Sequence, residues 1–119
     1  MTTNSSTERS LDSMFTHLGH QLRRYLLYCL FRDSNPVSLP RIADQAVEWR
    51  TGKPAETVVD ERLEIYMTLY HDHLSGLVDD DVISYDQDKD VVELDTTADL
   101  FEPYVRQALQ DEINTGGSR

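Results

Sequence analysis

Tyr70-His71-Asp72-His73-Leu74-Ser75-Gly76-Leu77-Val78, then Asp79-Asp80-Asp81, then Val82-Ile83-Ser84-Tyr85-Asp86: this stretch decides the fold. Upstream of the triple aspartate, Leu63, Tyr66, Met67, Tyr70, Leu74, Leu77 and Val78 recur at steps of three and four. That spacing predicts one helix with these residues on its buried side. Past Asp81 the period changes to two. Ile83 and Tyr85 alternate with Ser84 and Asp86, and Val92 and Leu94 alternate with Glu93 and Asp95. Two half-buried strands carry that pattern. The polar Gln87-Asp88-Lys89-Asp90 between them tolerates turn geometry. The expectation is a long helix running straight into a β-hairpin.

Working outward, Leu11, Met14, Phe15, Leu18, Leu22, Tyr25, Leu26, Cys29 and Leu30 hold helical spacing after Ser10, a capping residue, and Gly19 is placed to split the run. Arg23 and Arg24 fall off the stripe and read as a solvated face. Asp33-Ser34-Asn35-Pro36 is a break. Ser38 then caps a second helix with Pro40 in its first turn, Leu39, Ile42, Ala43, Ala46 and Val47 inward, and Gly52 at its end. Trp49 is expected to pack on a neighbour. Ala55–Val59 reads as a connection and Asp60 as the cap of the third helix. Beyond the hairpin, Asp99 opens a capping box for a last helix carrying Leu100, Phe101, Tyr104, Val105, Ala108 and Leu109. Three helices closed by a hairpin are a winged helix-turn-helix, mostly α with a small β-hairpin and here an additional C-terminal helix. The organisation expected is a disordered tail over 1–9, the winged-helix domain over 10–95, the C-terminal helix over 96–112 and a flexible tail over 113–119.

Composition narrows the setting. The chain has 119 residues and 22 acids against 11 bases, a net charge of −11. Aspartate outnumbers glutamate 14 to 8, and Lys53 and Lys89 are the only lysines against nine arginines. A duplex-binding domain carries a basic footprint, so the charge argues against nucleic acid. At molar ionic strength, however, the Debye length falls to roughly 3 Å and that repulsion is largely screened. An acidic, lysine-poor surface suits a protein dissolved in brine. Cys29 is the single cysteine, which excludes an intramolecular disulfide and fits a reducing cytoplasm. No apolar run is long enough to span a bilayer, and the first nine residues have neither the basic start nor the apolar core of an export signal.

A resemblance adds to this. Arg23-Arg24-Tyr25-Leu26-Leu27-Tyr28, Ser38-Leu39-Pro40-Arg41-Ile42-Ala43-Asp44-Gln45, Glu48-Trp49, Ile65-Tyr66-Met67-Thr68-Leu69-Tyr70-His71-Asp72-His73-Leu74 and Val82-Ile83-Ser84-Tyr85-Asp86 resemble haloarchaeal winged-helix proteins catalogued as a domain of unknown function. The resemblance covers roughly residues 10–95. It implies a winged-helix fold, a salt-adapted archaeal source and a transcription-regulator role. Such relatives have glycine at the helix-to-wing junction and in the wing turn, where this chain has Asp81 and Asp90.

Chemistry-bearing patterns are few. Asp86, Asp88 and Asp90 match the opening of a calcium loop, but Val91 and Thr97 stand where Gly and Glu are needed, so an acidic turn is expected. His17 and His20 have helical spacing for a shared metal without further ligands; His71 is expected to face outward and His73 to pack under the wing. No nucleophile motif, phosphate loop or catalytic carboxylate pair is present, so no enzyme activity, metal or cofactor is expected.

The leading functional reading is a cytoplasmic DNA-binding-type regulator. Its candidate contacts to double-stranded DNA are Arg41, Arg50, Lys53, Arg62, Thr68, His71 and Lys89. Against it, the segment from Asp60 to Asp81 holds seven acids and the one base Arg62. The alternative is a protein-interaction module, dimerisation or adaptor, on the same scaffold. Leu100, Phe101, Tyr104 and Val105 are the candidate homodimer interface. A contiguous positive strip across the third helix and hairpin would favour DNA, and its absence would favour protein contact.

Overall fold

In the computed structural model, residues 11–114 are described. The expected Ser10 cap, the 1–9 tail and residues 115–119 lie outside them. Residues 11–18 form helix α1, and a turn at Gly19-His20 separates it from α2, Gln21–Arg32. Strand β1, Val37–Ser38, leads into α3, Leu39–Thr51, and a 3-10 turn at Ala55–Thr57 leads into α4, Val59–Thr68. A π-helical turn, Leu69–His73, joins α4 to α5, Leu74–Asp79. Strands β2, Ile83–Asp86, and β3, Val91–Leu94, precede α6, Ala98–Leu109, whose winding continues as a π turn through Gln110–Asn114.

This is a winged helix-turn-helix arrangement with an added C-terminal helix. The hairpin pairs in the expected antiparallel sense, with Ile83 opposite Leu94 and Tyr85 opposite Val92. A third strand joins it: β1 pairs with the other edge of β3, placing Val37 opposite Val92 in the sheet order β1-β3-β2. Two residues are too few to show a period of two, so β1 is silent in the sequence. Asn35 secures its approach, donating to the Leu30 carbonyl at 2.7 Å and accepting from the Leu94 amide at 2.8 Å.

Helix α2 is the centre of the core. Tyr25, Leu26, Leu27, Tyr28, Cys29 and Leu30 are all buried in succession, so this helix is covered on every side rather than along one stripe. Leu39, Ile42, Ala43, Ala46 and Val47 of α3, Ile83 and Val92 of the sheet, and Phe101 and Val105 of α6 close around it. Trp49 packs against Tyr25 and Tyr28, ring centroids 5.3 and 5.9 Å away, as expected of a neighbour contact.

Local signals set some boundaries and miss others. Ser38 accepts the Arg41 amide at 3.2 Å, and Gly52 ends α3 at φ 72°. Asp60 and Asp99 are not caps. The 3-10 turn starts α4 at Val59 with Val58 in the cap position, and the turn at Thr96-Thr97 starts α6 at Ala98. Asp60 and Asp99 fall inside their first turns instead, where a carboxylate still favours the helix dipole. Glu102, the far half of the expected capping box, is occupied by Arg106 at 2.8 Å.

The third helix departs furthest from the expected pattern. Leu63, Met67 and Val78 are exposed, while Ile65, Leu69, Leu74 and Leu77 are the buried residues. The step from Leu69 to Leu74 is five residues, which a regular α-helix cannot keep on one face. The π turn takes up the extra residue. It carries the buried side from Ile65 and Leu69 onto Leu74 and Leu77, and rotates Leu63 and Met67 outward.

Candidate interaction surface

Where a winged helix presents its third helix to a partner, α4 here presents Val59, Leu63 and Met67, which are 61, 55 and 42 % exposed. They stand four residues apart and form one stripe along the helix. Beside it, Asp60, Glu61 and Glu64 are exposed, and among the described residues none of their carboxylates has a hydrogen bond or ion pair. On the other side the stripe meets the wing. Tyr66 and Tyr85 both donate to the Asp90 carboxylate, at 2.6 and 2.5 Å, and Tyr70 packs edge-on against Tyr85 at 6.1 Å. Gln87 reaches the Tyr70 hydroxyl at 3.4 Å. The hydrogen bond to Asp90 pushes the Tyr66 phenol up to about 12, and burial followed by the same bond raises Tyr85. Both tyrosines therefore stay protonated donors, and the wing is held against α4.

Asp81 and Asp90 have φ of 60° and 55°, the left-handed conformation that favours glycine. Asp90 also ties the wing to α3 through its carbonyl, which accepts the Leu39 amide at 2.9 Å.

The candidate DNA contacts are spread over α3, the turn after it, α4, the π turn and the wing. Arg62, expected on the solvent side, turns toward α3 and pairs with Asp44, with a further bond to the Pro40 carbonyl at 3.2 Å. Arg41 lies at the start of α3 with Asp33 3.9 Å away, whereas Arg50 and Lys53 lie at its far end. Eight residues of helix lie between Arg41 and Arg50, which puts them about 13 Å apart along the axis. Arg50 donates to Gln21 at 3.0 Å. Thr68 donates to the Glu64 carbonyl at 2.8 Å and lines a cleft of about 320 Å³ with His20, Gln21, Arg50 and His73. His71 is exposed, as expected, and Lys89 is exposed at the tip of the wing between Asp88 and Asp90.

Of the expected homodimer residues, Phe101 and Val105 belong to the chain's own core, at 4 and 0 % exposure. Leu100 and Tyr104 remain exposed, and Tyr104 meets Phe15 edge-on at 5.6 Å. Ile113, assigned to the tail, packs on the core.

Two polar networks have no local signature in the chain. Arg23 and Arg24 are not a solvated face. Arg24 grips Glu112 with two bonds of 2.8 Å, and the Tyr28 hydroxyl donates to the same carboxylate at 2.7 Å. The Arg24 bond holds the Glu112 carboxyl below its usual range. Arg23 donates through Nε to His73 Nδ1 and through Nη1 to His17 Nδ1, each at 2.9 Å. A guanidinium only donates, so His17 presents Nε2–H to Asp80, 2.7 Å away, where Ser13 also donates. Bonds from Ser13 and then His17 lower the Asp80 carboxyl. His73 thus packs toward α2 rather than under the wing, and burial lowers its titration. Partners 50 to 88 residues away leave no mark in a local reading.

The three aspartates of the wing turn do not converge. Asp86 accepts the amides of Asp88 and Lys89, while Asp90 is occupied by the two tyrosines. Among the described residues no three His, Cys, Asp or Glu side chains are placed to hold a metal ion, and no helix is long and apolar enough to cross a membrane.

A family catalogued as a domain of unknown function (DUF7344) matches residues 15–93. The chain belongs to that family. The match runs from α1 into β3, and α6 lies beyond it. No curated protein and no solved structure matches.

Proposed function

We propose that this chain is a protein-interaction module on a winged-helix scaffold, working in the regulatory machinery of a salt-adapted archaeal cytoplasm without catalysing a reaction. One observation carries the reading: the helix that would enter a major groove offers an apolar stripe edged by carboxylates instead of a positive strip. Phosphate oxygens meeting Asp60, Glu61 and Glu64 are repelled at contact distance, where salt does not screen. The residue best placed to offset this, Arg62, is already held by Asp44. Net charge and lysine scarcity support the habitat.

Direct duplex binding is the second reading. It is favoured by the wing architecture and by Lys89 standing exposed at the wing tip. The two separate in an anisotropy titration of a labelled mixed-sequence duplex at about 1 M KCl, close to the screening limit. The interaction reading expects no saturable binding. Saturable binding that weakens in Lys89→Ala and Arg41→Ala would establish the DNA reading in its place. Arg62→Ala is informative in another way: it is expected to lower stability by roughly 1 kcal/mol, because it leaves Asp44 and the Pro40 carbonyl without their donor.

A further inference from the structure

Resting on the interaction reading, we propose that the Val59–Leu63–Met67 stripe docks a basic amphipathic helix of a partner protein. The stripe spans nine residues, about 12 Å of helix axis, which matches three apolar residues at i, i+4 and i+8 on a second helix. One wall of the seat is rigid: Tyr66 and Tyr70 are fixed to the wing through Asp90, Tyr85 and Gln87. The other wall is charged. Asp60 and Glu64 stand one turn apart along the stripe, exposed, and among the described residues their carboxylates have no partner.

Charge complementarity selects the occupant. An incoming helix with arginines along one edge meets that acidic row while its leucines cover the stripe. A second copy of this chain would bring a second acidic row and no cation from its own stripe, with −11 on each molecule. A duplex or an anionic lipid surface brings the wrong sign. Arginine suits the rim better than lysine, because its fork engages a carboxylate through two bonds.

The test uses the full chain and three designed helical peptides of about 18 residues. All carry the same leucine stripe, and their flanks are arginine, glutamine or glutamate. Labelled peptides are titrated at about 1 M KCl, alongside the labelled duplex. The arginine peptide is expected to saturate and to bind about fivefold tighter than the glutamine peptide, the glutamate peptide being weakest. Leu63→Asn and Met67→Gln, at exposed positions, are expected to weaken it about tenfold while thermal melting stays unchanged.

Equal binding of all three peptides would overturn the proposal, as would no binding by any. So would a sedimentation result in which the wild type is a dimer and Leu63→Asn a monomer, which would assign the stripe to a second copy. The duplex arm tests the underlying reading separately. Saturable duplex binding refutes the interaction reading itself, whereas silence from both peptides and duplex refutes only the partner chemistry.

Discussion

The two positive-φ aspartates make opposite predictions for the same substitution. Asp81 sits at φ 60° and its carboxylate has no hydrogen bond among the described residues. An L-residue in that conformation costs about 1–2 kcal/mol, and glycine's extra unfolded-chain freedom costs about 0.5–1 kcal/mol. Asp81→Gly is therefore expected to stabilise by about 0.5 kcal/mol, a rise of roughly 2–3 °C in Tm for a domain of this size. Asp90 has the same backbone relief to gain, at φ 55°, but its carboxylate accepts from Tyr66 and Tyr85. At a half-buried site each of those bonds contributes about 1 kcal/mol. Asp90→Gly is then expected to destabilise by about 1.5 kcal/mol, several degrees in the other direction.

Thermal and denaturant melts of both variants in molar KCl measure the difference, and a cycle with Tyr66→Phe and Tyr85→Phe isolates the hydrogen bonds. In the Asp90→Gly background either Tyr→Phe change should add less than about 0.5 kcal/mol, since the acceptor is already gone. Equal stabilisation by the two glycines would mean the Asp90 carboxylate holds nothing, and loss of stability in Asp81→Gly would remove the backbone argument.

Acid stability should depend on Glu112. Its folded pKa lies below the ordinary 4.5, so its contribution is complete above that value and is lost as pH falls through the folded one. Glu112→Gln is expected to lower stability at pH 7 and to flatten the decline below about pH 4.5, measured as Tm against pH. His73 acts in the same direction nearer neutrality. With its folded pKa below 6.5, the unfolded chain binds the proton more readily, and stability erodes as pH falls past 6.5; His73→Gln should reduce that slope. Burial pushes the Cys29 thiol up to about 12, so a thiol reagent at pH 8 should label it only as fast as the chain opens. Rapid labelling of the native protein would contradict its place in the core.

What the sequence revealed and what it hid divide along the range of the interaction. Ser38 and Gly52 act on amides three or four residues away, and both were legible. The hairpin was legible because alternation and turn chemistry are also local. Asp60 and Asp99 misled because a 3-10 turn and a Thr-Thr turn moved each helix start two residues earlier, and a capping signal alone does not register that shift. Arg24 with Glu112, and Arg23 with His17 and His73, could not be read at all. Their geometry exists only once α1, α6 and the π turn have docked on α2.

The apolar stripe on α4 hides for a related reason, and the π turn is the link. Counted as a regular helix, Leu63, Met67, Tyr70 and Leu74 share a face, and any reading at 3.6 residues per turn buries all four. The wider turn at Leu69–His73 separates them, giving Leu74 to the core and leaving Leu63 and Met67 in solvent. The acidic residues of α4 were plain in the sequence and argued only that a duplex is unwelcome there. What they accompany became visible when the extra residue was located. One inserted position thus both closes the core beneath the third helix and exposes the apolar stripe. That makes the stripe a consequence of how α4 and α5 are joined, and a surface built this way persists only while the π turn does.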